Sequence, residues 1–125
     1  MNRYTIYCTP DQTKKALELG APIEILINHS VDKEICDKYH FLVIDGIFYI
    51  NPTAEQLIGW LEEQYLYITI RYTNDVAKYW QADIDLANCI DPECGKYLVD
   101  YNFPSRKKAT IAAIDAALEY LSSKQ

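Results

Sequence analysis

No apolar run in this chain approaches the roughly 20 residues a helix needs to cross a bilayer, so a membrane span is not expected. Glycine is scarce, with four residues set far apart. A phosphate loop, which needs several glycines within a few positions, has nothing to be built from. Histidine is scarcer, with only His29 and His40, and neither lies in a paired ligand motif. A serine or cysteine nucleophile is therefore left without its usual nearby base. Basic charge is short as well: 12 Lys and Arg stand against 18 Asp and Glu, a net charge of −6. Phosphate backbones are repelled by most of such a surface, which disfavours nucleic acid as a partner.

What is present describes an ordinary globular domain. The chain has 125 residues, 50% hydrophobic and 24% charged, enough for one domain over 1–125 with a core of its own. Met1-Asn2-Arg3-Tyr4 runs straight into strand-like sequence without an apolar signal core, which predicts a cytoplasmic protein. In that compartment Cys8, Cys36, Cys89 and Cys94 are read as thiols. Cys89 and Cys94 share a loop, but the second ligand pair of a zinc site is missing. Neither a metal nor a cofactor is expected.

The elements are short and well punctuated. Tyr4 to Cys8 is strand-like. Thr9-Pro10-Asp11-Gln12 opens a helix, with Thr9 as cap, Pro10 at the first helical position and Gln12 three residues after the cap. Gly20 ends that helix. Ile23 to Ile27 reads as a strand, and 28–38 as a loop with one helical turn. Phe41-Leu42-Val43-Ile44 and Ile47-Phe48-Tyr49-Ile50 flank Asp45-Gly46, a hairpin with a type I′ turn. Its unbroken apolar arms predict burial on both faces. Thr53 and Gln56 repeat the capping box, and Leu57, Leu61 and Tyr65 set an apolar stripe behind them.

Alternation then predicts strands over 66–72, 77–84 and 96–103, followed by a helix capped by Ser105. Ile111, Ile114, Leu118 and Leu121 stripe this helix, and its alanines permit close packing. The fold expected is a two-layer α+β domain, an antiparallel sheet with the helices packed on one face.

Three features bear on function. Asp83 and Asp85 could share one face of a strand, and ordinary exposure statistics make them solvated edge residues rather than a catalytic pair. Arg106, Lys107 and Lys108 occupy the first turn of the last helix, where the helix dipole already places positive charge. Either these side chains splay into water, or with Ser105 they mark an anion site. Eleven tyrosines are present. Tyr67 and Tyr79 fall on the strand phase opposite the presumed core, near Trp80, and such a strip suits a protein interface.

Three blocks of sequence also resemble a known group of proteins. Thr9 to Pro22 resembles the opening, and Pro52-Thr53-Ala54-Glu55-Gln56-Leu57-Ile58-Gly59-Trp60-Leu61 the central PTAEQMIGWL helix, of a family of small uncharacterised proteins from phages, prophages and mobile elements of gut bacteria. Ser105 to Leu121, including the run from Ala109 to Leu118, resembles the closing helix of the same family. Lys108, where an acid is expected, and a longer Cys89–Cys94 loop depart from the pattern. The resemblance implies no activity and no catalytic residues. It implies an accessory protein inside a bacterial host cell, a non-enzymatic module binding a host or phage protein or a second copy of itself. The alternatives are a small-anion or nucleotide binder at the last helix and, on element order alone, an RNA-binding αβββα domain.

Overall fold

Each helix begins where a hydroxyl can hold its first turn. In the computed structural model, which describes residues 5–26, 41–73, 79–86, 96–98 and 103–123, helix α1 spans Pro10–Glu18. The Thr9 hydroxyl accepts from the Gln12 N–H at 3.1 Å, and Gln12 Oε1 accepts from the Thr9 N–H at 3.0 Å. Gly20 closes the helix at φ +95°. Its N–H reaches the Leu17 carbonyl and that of Ala21 the Ala16 carbonyl, a pairing that satisfies the last carbonyls of the helix. Helix α2 spans Ala54–Glu63 behind the same reciprocal box from Thr53 and Gln56. Helix α3 spans Arg106–Ser123, and the Ser105 hydroxyl accepts from the Lys108 N–H at 3.1 Å.

Among the described residues the strands form two antiparallel sheets of three. Strands β1 (Ile25–Leu26), β2 (Phe41–Ile44) and β3 (Ile47–Ile50) lie in the order β1-β3-β2. Positive φ at Asp45 and Gly46 makes the β2–β3 connection the type I′ turn expected of Asp-Gly. Strands β4 (Leu66–Tyr72), β5 (Trp80–Leu86) and β6 (Lys96–Leu98) lie in chain order. Leu66 pairs with Leu86 at one end of β4–β5 and Tyr72 with Trp80 at the other. Helices α2 and α3 both pack on this second sheet. Leu57, Leu61, Leu66, Ile84, Ile114 and Leu118 are fully buried between the layers, so the two-layer α+β architecture is the one observed. Among the described residues no helix is long and apolar enough to cross a membrane.

Four local expectations need correction. The β2–β3 hairpin is not buried on both faces, since Val43 is 53% exposed and Ile47 is exposed too. It belongs to a separate sheet, and the helices that seal the core lie against β4 and β5. Tyr65 does not continue the α2 stripe. The helix stops at Glu63, and Tyr65 sits at φ +66° with 52% of its surface exposed. Ile111 and Leu121 are only half-buried, because the face that α3 presents is centred on Ala109, Ala113 and Ala117, all fully buried beside Ile114 and Leu118. Ile111 and Leu121 flank that face and do not lie at its centre. Strand β5 begins at Trp80 in place of 77 and runs on to Leu86.

Of the predicted third strand, Lys96–Leu98 pairs with β5 and Phe103 forms an isolated bridge to Trp80. Residues 99–102 lie outside the described residues, as do the 28–38 segment, both histidines, Cys36 and the Cys89–Cys94 loop.

One side chain ties the two halves of the chain together. Gln12, already used in the α1 cap, turns its Nε2 to the Ile111 carbonyl at 2.9 Å and to Asp115 Oδ1 at 2.8 Å. It is fully buried, and every hydrogen of its amide nitrogen has an acceptor.

Candidate functional site

The chain before α1 and the chain before α2 run side by side. Tyr7 and Thr53 form an antiparallel bridge, the Cys8 N–H donates to the Pro52 carbonyl and the Ala54 N–H to the Ile6 carbonyl. This pairing brings the two capping threonines into one region, and the first turn of α3 lies across it. Three positive helix ends thus meet around a short ribbon, a setting that favours negative charge.

The ribbon has an opening on each side, and the first turn of α3 divides between them. Arg106 lines a cavity of about 280 Å³ together with Thr53 and Glu55, so a carboxylate offsets its charge there. Lys107 lines a larger cavity of about 410 Å³ with Thr5, Tyr7, Thr9, Phe41 and Asn51. Cys8, Pro10 and Ile111 also line it, and no carboxylate is among the described lining residues. Lys108 is exposed and lines neither. Ser105 spends its hydroxyl on the cap. The structure therefore separates the basic turn into one cation for each cavity.

Asn51 is the residue in this region without a local explanation. It is 1% exposed, and among the described residues neither its Oδ1 nor its Nδ2 has a hydrogen-bond partner. A carboxamide left dry in this way costs about 1–3 kcal/mol. Nothing in the sequence points to it, since Asn51-Pro52-Thr53 reads as punctuation between a strand and a helix cap. Cys8, 3% exposed in the same wall, has its thiol pushed up to about 12 by burial and by the negative charge of Asp115. A thiol that stays protonated at neutral pH is a weak nucleophile. Among the described residues no group of three His, Cys, Asp or Glu is placed to hold a metal.

The aromatic strip expected on the sheet is divided too. Tyr67 projects from β4 and is 41% exposed. Trp80 lies on the other phase, where it packs against the core and meets the Tyr72 ring at 5.2 Å. Tyr79 is half-buried, and its backbone is bonded to Thr73.

Asp83 corrects the picture of solvated acids. It sits on the central strand β5, flanked by β4 and β6, and is 4% exposed. Arg71 reaches it from β4, Nη2 to Oδ2 at 2.7 Å, while Oδ1 has no partner among the described residues. The guanidinium is more than half exposed, so the pair is worth less than a fully dry one. Arg71→Ala is expected to cost about 1–2 kcal/mol by leaving the carboxylate unpaired. In an Asp83→Asn background most of that cost should vanish. A double-mutant cycle in urea measures the difference, and equal costs in both backgrounds would show that the pair contributes nothing.

Comparison with protein-family models, with curated proteins and with solved structures finds no match to this chain.

Proposed function

We propose that this protein is a non-catalytic binding module whose ligand is a small anionic molecule held in the cavity of Asn51 and Lys107. The observation that carries this reading is the buried, unpartnered carboxamide of Asn51. A ligand that pairs with it recovers free energy that the empty protein forgoes. Lys107 and the adjoining helix ends set the sign of the ligand's charge. The protonated Cys8 thiol and the lack of a carboxylate among the described lining residues support binding in preference to catalysis.

A thermal-shift panel of phosphate, pyrophosphate, mononucleotides and carboxylates at low ionic strength tests the reading. A ligand at 100 times its Kd should stabilise the protein by about 2.7 kcal/mol. Lys107→Glu should abolish that response. Asn51→Leu should abolish it as well, while raising the ligand-free stability by about 1 kcal/mol or more, since a dry polar group is replaced by an apolar one of similar size. No shift with any anion, or a shift that survives both substitutions, rejects the assignment.

The exposure of Tyr67 favours a second reading, recognition of a protein partner by the sheet face from which it projects. The phage and mobile-element resemblance would make that partner a host or phage protein, or a second copy, in the bacterial cytoplasm. Tyr67→Asp separates the two readings: it should weaken a protein contact and leave the anion response intact.

A further inference from the structure

Resting on the reading of this cavity as an anion site, we propose that its occupant is a nucleoside monophosphate, base edge on Asn51 and phosphate at Lys107. The carboxamide offers a donor and an acceptor side by side. A simple carboxylate brings acceptors only, so it could satisfy Nδ2 and would leave Oδ1 as orphaned as before. A hydrogen phosphate has a P–OH donor beside its acceptor oxygens but offers nothing to Phe41 and Ile111. The ligand that answers the whole lining therefore carries a donor next to an acceptor, a negative charge and an apolar body. Every nucleobase presents such an edge, and an Asn side chain reads adenine through two parallel hydrogen bonds.

The rest of the lining fits the remainder of the molecule. Lys107 is the one cation among the described lining residues, which suits a monophosphate and leaves the larger charge of a triphosphate unmatched. Thr5 and Thr9 bring hydroxyls for a sugar. The Thr9 oxygen accepts from Gln12, and its own proton remains to be given. Phe41 and Ile111 supply apolar surface for a base. A volume of about 410 Å³ lies within the range of small-molecule sites. An acylated amino acid has the same paired edge and a carboxylate, but no flat apolar body to set against Phe41 and Ile111.

Calorimetric titration of the full chain with adenosine monophosphate, purine riboside monophosphate, ribose 5-phosphate and inorganic phosphate tests the assignment. Adenosine monophosphate should bind. Purine riboside monophosphate, which lacks the exocyclic amino donor, should bind about 10- to 100-fold more weakly, and ribose 5-phosphate and phosphate more weakly still. Asn51→Asp turns the fork into two acceptors and should shift preference toward guanosine monophosphate, whose edge carries two adjacent donors. If that variant fails to fold, the analogue series on the unaltered protein decides. Ribose 5-phosphate binding as tightly as adenosine monophosphate, or N-acetylglycine binding more tightly, would leave the anion site standing and remove the base assignment. No binding by any of these compounds removes both.

Discussion

Leu61→Ala is expected to destabilise the protein by about 3 kcal/mol, within the range of about 2–5 kcal/mol found for leucines cut back in well-packed cores. Leu61 is fully buried on α2, in the layer between that helix and the sheet. The loss combines the transfer free energy of the deleted methyl and methylene groups with the void they leave, and packed neighbours close only part of it. Its partner at i+4 should behave in the opposite way. Tyr65 is half exposed and held at φ +66°, a backbone region that costs an ordinary residue roughly 1 kcal/mol and glycine nothing. Tyr65→Gly should therefore leave stability unchanged or raise it slightly. Urea denaturation of both variants checks the pair. A loss below about 1 kcal/mol at Leu61 would mean that the α2 layer is not close-packed.

The second large effect is expected at alkaline pH. Burial raises the Cys8 thiol from 9.0 to about 12, with Asp115 adding to the shift. In the unfolded chain the thiol gives up its proton above about pH 9, and in the folded chain it keeps it. The folded state then binds more protons, so stability falls as pH rises through this window, by about 1.4 kcal/mol per unit. Below the unfolded value both states hold the proton and the contribution is flat. Across the whole window the loss approaches 4 kcal/mol, an order-of-magnitude figure. The quantity to measure is the difference in slope between the wild type and Cys8→Ala. Parallel curves from pH 9 to 11 would place the thiol in contact with water.

These effects depend on positions of unequal legibility. The caps at Thr9 and Thr53, the Asp45-Gly46 turn and the Gly20 stop were readable because each is settled within a few residues of backbone. Leu57, Leu61, Ile114 and Leu118 followed from helical period. Lys107 was visible as a cation at the wrong end of a helix. Its neighbour Asn51 was not, because a carboxamide becomes exceptional only when tertiary packing dries it without supplying a partner. Asp83 differs from a solvated acid for a similar reason. Strand alternation places it on the face opposite Ile84, and only the pairing of β4 with β5 brings Arg71 to its carboxylate. The separation of the strands into two sheets is likewise a property of long-range pairing, on which local patterns are silent.

The amide of Gln12 has a consequence for the order in which the molecule assembles. Its two bonds to α3 join residues 99 and 103 positions apart, whereas the hairpin and the β4-β5-β6 meander connect strands that are neighbours along the chain. Closing a loop of that length early forfeits chain entropy before any other contact repays it. The meander and the α2 layer can gather first, and the α1–α3 junction is then the natural last step. The segments that wall the proposed ligand cavity meet at this junction, so the proposed site is the part of the molecule that folding completes at the end.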